Sequence, residues 1–236
     1  MKILIITGGS INFDFALDFL KKELFDEVIA VDGGLEIAAA LEKELTKAQF
    51  LLTHIVGDFD TVKREILEKY EMRNHVKIHA FKPEKDYTDT DIALKLAVRL
   101  CKEKEDGKKQ TDPEDASSNR IVLLGATGTR LDHVLANIQM LVIPLEAGIP
   151  AEIIDANNKI RMIEHRCTVT GGFGKYISLI PVSEVLEGID LEGFKYPLKN
   201  WTVKLGESLC VSNELTAPQG YVRIRKGRAL LIQSRD

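Results

Sequence analysis

Up to about residue 147 the chain alternates short apolar runs with longer helical patterns, and this restricts its fold more than any other feature. Ile3–Ile6, Val28–Val31, Phe50–Val56, Lys77–His79 and Ile121–Leu124 read as strands. Phe13–Leu24, Leu35–Leu45, Lys63–Tyr70 and the segment after Thr88 read as helices. Thr88 can cap the last of these, with Asp91 three residues on, and Ile92, Leu96 and Leu100 at helical spacing are expected to face the sheet. One long helix is expected after Ile121–Leu124, its apolar stripe made of Leu131, Val134, Leu135, Ile138, Leu141, Val142 and Leu145. Such alternation implies a parallel sheet with helices on its faces.

The polar stretch 102–119 offers almost nothing to a core and is expected to be a mobile surface loop. After Gly148 the texture changes. Short β-rich runs at Ala151–Ile154, Tyr176–Ile180, Trp201–Val203, Leu209–Val211, Tyr221–Ile224 and Ala229–Ile232 are separated by Gly, Pro, Asn and Asp. Lys226-Gly227 reads as the turn of a closing hairpin. The expected fold class is therefore α/β: an N-terminal parallel-sheet nucleotide-binding domain over 1–148, then a C-terminal β-sandwich over 149–236.

A net charge of -4 argues against a non-specific nucleic-acid binder. The three cysteines, Cys101, Cys167 and Cys210, have no metal-site spacing. No apolar run approaches the ~20 residues of a membrane span, and the opening Lys2–Thr7 segment is too short for a signal peptide. No nucleic acid and no membrane partner is expected, and the expected location is the cytoplasm.

In a parallel sheet, ligands bind outside the carboxyl ends of the strands. Asp32-Gly33-Gly34 follows the second strand and Gly57-Asp58-Phe59-Asp60 the third. Lys85-Asp86-Tyr87-Thr88-Asp89 precedes a helix, and Gly125 to His133 bridges the last strand to the last helix. Taken alone, Asp32-Gly33-Gly34 is an ordinary turn with a helix cap, and Asp89 and Asp91 an ordinary acidic helix start. Together they set several carboxylates along one edge, where mutual repulsion calls for a cation. Magnesium suits them, since it shares one or two carboxylates with substrate phosphates. The glycines let backbone N–H groups approach phosphates, and Arg130 and Lys85 add positive charge for phosphoryl transfer.

These motifs, with Gly128-x-Arg130-x-Asp132-His133-x-x-x-Asn137, resemble those of thiamine pyrophosphokinases. The resemblance extends to Pro181-Val182-Ser183, Gly193 to Leu198 and Ser212-Asn213-Glu214, and so to nearly the whole chain. It implies ATP and thiamine as substrates, Mg²⁺ as cofactor, and a homodimer with thiamine at the subunit interface. The thiamine hydroxyl would attack the β-phosphorus of ATP, giving thiamine diphosphate and AMP. By position, Asp58, Asp60 and Asp89 would hold Mg²⁺, with Asp132 near the phosphates and first in line as a base. Gly33, Gly34, Lys85, Asp86, Thr88, Gly128, Arg130 and Asn137 would line the nucleotide path, while Tyr196, Ser212 and Asn213 would help receive thiamine. Two rival functions are a non-catalytic ATP or thiamine sensor and a phosphatase of the haloacid-dehalogenase type. The latter takes Asp58-Phe59-Asp60-Thr61-Val62 as its nucleophile motif.

Overall fold

The structure, a computed structural model, describes residues 1–60, 62–82, 86–106 and 119–236. Thr61, Lys85 and most of the expected 102–119 loop thus lie outside the described residues. Two compact units are present, Met1–Ala156 and Asn157–Asp236.

The first unit is built on β1 (Lys2–Ile6), β2 (Glu27–Val31), β3 (His54–Gly57), β4 (Lys77–Ala80), β5 (Arg120–Leu124) and β6 (Ala151–Ile154). They pair in parallel in the order β4-β3-β2-β1-β5-β6. Ile3, Leu4, Ile5 and Ile6 are successive yet all fully buried, so both faces of the sheet are covered. The covering helices are α1 (Phe13–Leu20), α2 (Gly34–Glu44), α3 (Arg64–Glu71), α4 (Asp89–Asp106), α5 (Leu131–Met140) and α6 (Val142–Glu146). From β1 the chain winds outward through β2, β3 and β4, then returns to add β5 and β6 on the other side of β1. The crevice beyond β1 and β5 is therefore the topological switch point, where such sheets bind ligands.

Three expectations are revised here. Ala151–Ile154, assigned by its β-rich sequence to the second half, instead pairs with β5 and extends the parallel sheet. The long last helix is broken at Leu141 into α5 and α6. Pro144 explains the break, because it has no N–H to give the carbonyl of Met140 four residues back. The apolar stripe of that helix is also only partly buried: Leu131 is 71% and Leu135 59% exposed. On α4 the buried face centres on Ala93, Leu94, Leu96, Ala97 and Cys101, with Ile92 and Leu100 at its margins.

The second unit is antiparallel. It contains β7 (Asn158–Thr170), β8 (Tyr176–Pro181), β9 (Val185–Glu192), β10 (Leu198–Lys204) and β11 (Gln219–Ser234). The expected hairpin at Lys226-Gly227 is absent, and its two arms are one continuous strand, β11. Register with β7 jumps from Arg223↔Arg166 to Arg228↔Glu164, so residues 224–227 stand opposite His165 alone. Both strands bend there, with positive φ at His165 (74°) and Gly227 (107°). Beyond the bend β11 pairs with β8; before it β11 pairs with β9, which carries β10. The two resulting layers enclose a sandwich core that includes Ile163, Val169, Leu179, Ile189, Val222 and Leu231. Leu209–Val211 is not a strand, and Trp201, on β10, is 49% exposed.

No described helix is long and apolar enough to cross a membrane.

Candidate active site

A cavity of about 870 Å³ opens at the switch point of the first unit. Three turns form its floor. Gly8-Gly9 follows β1, Asp32-Gly33 follows β2, and Gly125–Gly128 follows β5. The turns are packed against one another. A Cβ on Gly9 would lie 2.1 Å from the Gly125 carbonyl oxygen and 2.5 Å from that of Thr127. The Ser10 N–H donates to the Thr127 carbonyl at 2.8 Å. Only a bare backbone fits at Gly9, which leaves main-chain N–H groups at a polar surface. Gly34, the first residue of α2, meets β1 just as closely: a Cβ there would fall 2.2 Å from the Ile6 carbonyl oxygen.

One wall is acidic. Asp58, at the end of β3, and Asp89, the first residue of α4, line the cavity together with Asp32, Asp86 and Thr88. Thr88 caps α4 by accepting the Asp91 N–H on its hydroxyl at 3.2 Å, as the sequence indicated. Asp32 has a left-handed backbone (φ 44°), and its Oδ1 accepts the Phe59 N–H at 3.4 Å. Burial, then a hydrogen bond and charge repulsion from Asp89, and last the charge of Asp58, push the Asp32 carboxyl up to about 7. Asp32, Asp58 and Asp89 thus interact, although they come from three separate stretches of sequence. Asp32 was legible as part of Asp32-Gly33-Gly34, but alone that motif is an ordinary turn.

Asp60 is placed differently from its expected partner Asp58. It is exposed, it does not line the cavity, and its N–H donates to Asp58 Oδ1 at 3.4 Å. Among the described residues, no three His, Cys, Asp or Glu side chains form a ready-made metal cage. An ion bound here would complete its shell with water and phosphate, which is the habit of magnesium.

Gly128, Arg130, His133 and Asn137 also line the cavity. Asn137 is buried and donates from Nδ2 to the Ala126 carbonyl at 2.8 Å, fixing the turn after β5. Arg130 lies on the rim, where its Nη2 donates to Asp132 Oδ2 at 2.6 Å. Asp132 does not line the cavity, and this hydrogen bond holds its carboxyl below the usual range, which weakens it as a base.

Tyr196, Ser212 and Asn213 gather within the second unit. Asn213 is buried, and its carboxamide clasps the backbone of Tyr196, accepting its N–H at 3.0 Å and donating to its carbonyl at 2.9 Å. Asn213 therefore holds the segment on which Tyr196, 60% exposed, presents its ring. Ser212 is exposed with a left-handed backbone (φ 57°).

Two family models match the chain. "Thiamin pyrophosphokinase, catalytic domain" covers residues 21–153, and "Thiamin pyrophosphokinase, vitamin B1 binding domain" covers 160–229. The chain belongs to the thiamin pyrophosphokinase family. It is 34% identical to a thiamine pyrophosphokinase of Bacillus subtilis (strain 168), over 81% of this chain and 83% of that protein. A solved structure of thiamine pyrophosphokinase from Bacillus subtilis superimposes with a TM-score of 0.81, at 29% identity and full coverage of both chains. One from Geobacillus thermodenitrificans gives 0.77 at 31% identity, covering 100% of this chain and 98% of that one. Within this thiamin pyrophosphokinase frame, the catalytic-domain match takes in Asp32, Asp58, Asp89 and Arg130. The vitamin B1 binding-domain match takes in Tyr196, Ser212 and Asn213.

Proposed function

We propose that the chain transfers the pyrophosphoryl group of ATP to the hydroxyl of thiamine, forming thiamine diphosphate and AMP. The observation that carries this reading is the convergence of Asp32, Asp58 and Asp89 beside a glycine-lined cavity, in a chain of this family. The backbone N–H groups of the turns after β1, β2 and β5 would cradle the triphosphate. The Arg130 side chain, 69% exposed on the rim and paired there with Asp132, would turn toward phosphoryl oxygens and offset charge on them.

The donor set fits a hard divalent cation. Burial first, and then the neighbouring carboxylates of Asp89 and Asp58, hold the Asp32 carboxyl high, and a cation among them would relieve the repulsion. Asp58 and Asp89, with Asp32 beside them, would hold Mg²⁺, leaving Asp60 to support Asp58 through its N–H. When bound, the ion would neutralise phosphate charge and orient the chain of phosphates. The exposed Tyr196 ring and the Ser212 hydroxyl would receive thiamine, and a homodimer with thiamine at the subunit interface remains part of this reading.

The test is to incubate the protein with ATP, Mg²⁺ and thiamine and identify the nucleotide product. Thiamine-dependent AMP is the expected result. ADP, or phosphate released from a monoester without ATP, overturns it.

A further inference from the structure

Among the polar contacts that hold the turn after β5, one comes from a residue outside every motif considered so far. The Thr127 hydroxyl donates to Asp155 Oδ2 at 2.9 Å. Asp155 immediately follows β6, the outermost parallel strand beside β5, and lies between the two segments that match the family models. Thr127 lines the cavity, whereas Asp155 does not.

The chemistry of this contact is directional. A threonine hydroxyl carries a single proton. Once that proton is given to Asp155, the hydroxyl has none left for a phosphate oxygen. What the turn offers an anion is then its backbone N–H groups, and their aim depends on how firmly the turn is held. Three anchors hold it: Ser10 N–H on the Thr127 carbonyl, Asn137 Nδ2 on the Ala126 carbonyl, and Asp155 on the Thr127 side chain. The first two grip the backbone, and the third is the charge-assisted one. It ties the turn to the next strand of the sheet.

We infer that Asp155 is a positioning residue for nucleotide binding, acting through Thr127 to fix the turn that receives the triphosphate. This rests on the proposed ATP site and specifies how that site is built.

Calorimetric titration with Mg²⁺–ATP and steady-state kinetics on the full chain test it. Asp155→Ala and Thr127→Val should each weaken ATP binding and raise the KM for ATP about tenfold, the factor that loss of one charge-assisted hydrogen bond allows, with kcat nearly unchanged. The double variant should be no worse than either single one, since both remove the same link. Asp155→Asn and Thr127→Ser, which keep an acceptor and a donor, should restore binding. Additive losses would overturn the inference, because Thr127 would then be contacting nucleotide on its own account. Unchanged ATP affinity in both single variants, or an equal loss in Asp155→Asn and Asp155→Ala, would also overturn it. Should Asp155→Ala fail to fold, Asp155→Ser, too short to reach the Thr127 hydroxyl, takes its place in the same single and double comparisons. Wild-type protein that binds ATP but yields no AMP would count against the proposed reaction alone, and the binding comparison would stand.

Discussion

The Asp32 carboxyl ionises against the combined effect of burial, the loss of the hydrogen bond its protonated form gives to Asp89, and the negative charges of Asp89 and Asp58. Asp60, two residues beyond Asp58, is exposed and does not line the cavity. The two positions should therefore respond differently to the same change. Asp32→Asn should lower kcat/KM about 100-fold and raise the Mg²⁺ concentration needed for half-maximal rate, while Asp60→Asn should cost about tenfold or less. Without the ion the order reverses for stability. In chelator at pH 8 an ionised Asp32 is repelled by its neighbours, so Asp32→Asn should melt at a higher temperature than wild type. Added Mg²⁺ should remove that advantage. Equal kinetic losses at 32 and 60, or a lower Tm for Asp32→Asn in chelator, would show that the acidic wall is organised around the wrong residues.

Glycines at successive positions after β1 do different jobs. At Gly8 a new Cβ would have nothing nearer than 3.5 Å, ordinary contact. At Gly9 it would strike the carbonyl oxygens of Gly125 and Thr127. Gly9→Ala should therefore cost about 1–3 kcal/mol in urea denaturation and abolish detectable ATP binding, whereas Gly8→Ala should change stability by less than about 0.5 kcal/mol. The Gly-Gly pair was visible in the sequence; which glycine matters was not, because the answer depends on a turn more than a hundred residues away. The same limit governs the elements. Strands β1, β2 and β5 were legible because they are continuous apolar runs closed by Gly or Asp. Strands β7 and β9 were missed because Lys159, Arg161, Glu164, His165 and Arg166 break up the first, and Glu187, Gly188 and Asp190 the second. Their burial is decided by partners such as β11, which bends with β7. Asn213 was legible as a motif residue but not as the clasp on the Tyr196 backbone.

The division into two units gives each its own spectroscopic signal. Every described helix lies in Met1–Ala156, so far-ultraviolet circular dichroism at the helix band follows the first unit. The single tryptophan, Trp201, lies in the second and reports that one by fluorescence. Acid should separate them through His54 on β3, which is 2% exposed and stacks on His79 with ring centroids 5.5 Å apart. Burial drives the His54 imidazole down to about 4, and the positive charges of His79, Lys77 and Arg99 add to this against the opposing pull of Glu27. The folded value lies below the unfolded one, so the neutral ring is the form the fold favours. Its contribution is complete above about pH 6.5, the unfolded value, and is lost as pH falls from there toward 4. Between pH 7 and 5 the first unit should lose about 2 kcal/mol through this group. Urea titrations followed by circular dichroism should register that loss in wild type, and His54→Asn should remove most of it from the pH dependence even though the variant is less stable throughout. The tryptophan-detected transition should have the same pH dependence in both proteins. An unchanged circular-dichroism slope in His54→Asn would mean that His54 accommodates its proton in the folded chain, with Glu27, 3.5 Å from Nδ1, as the group that compensates it.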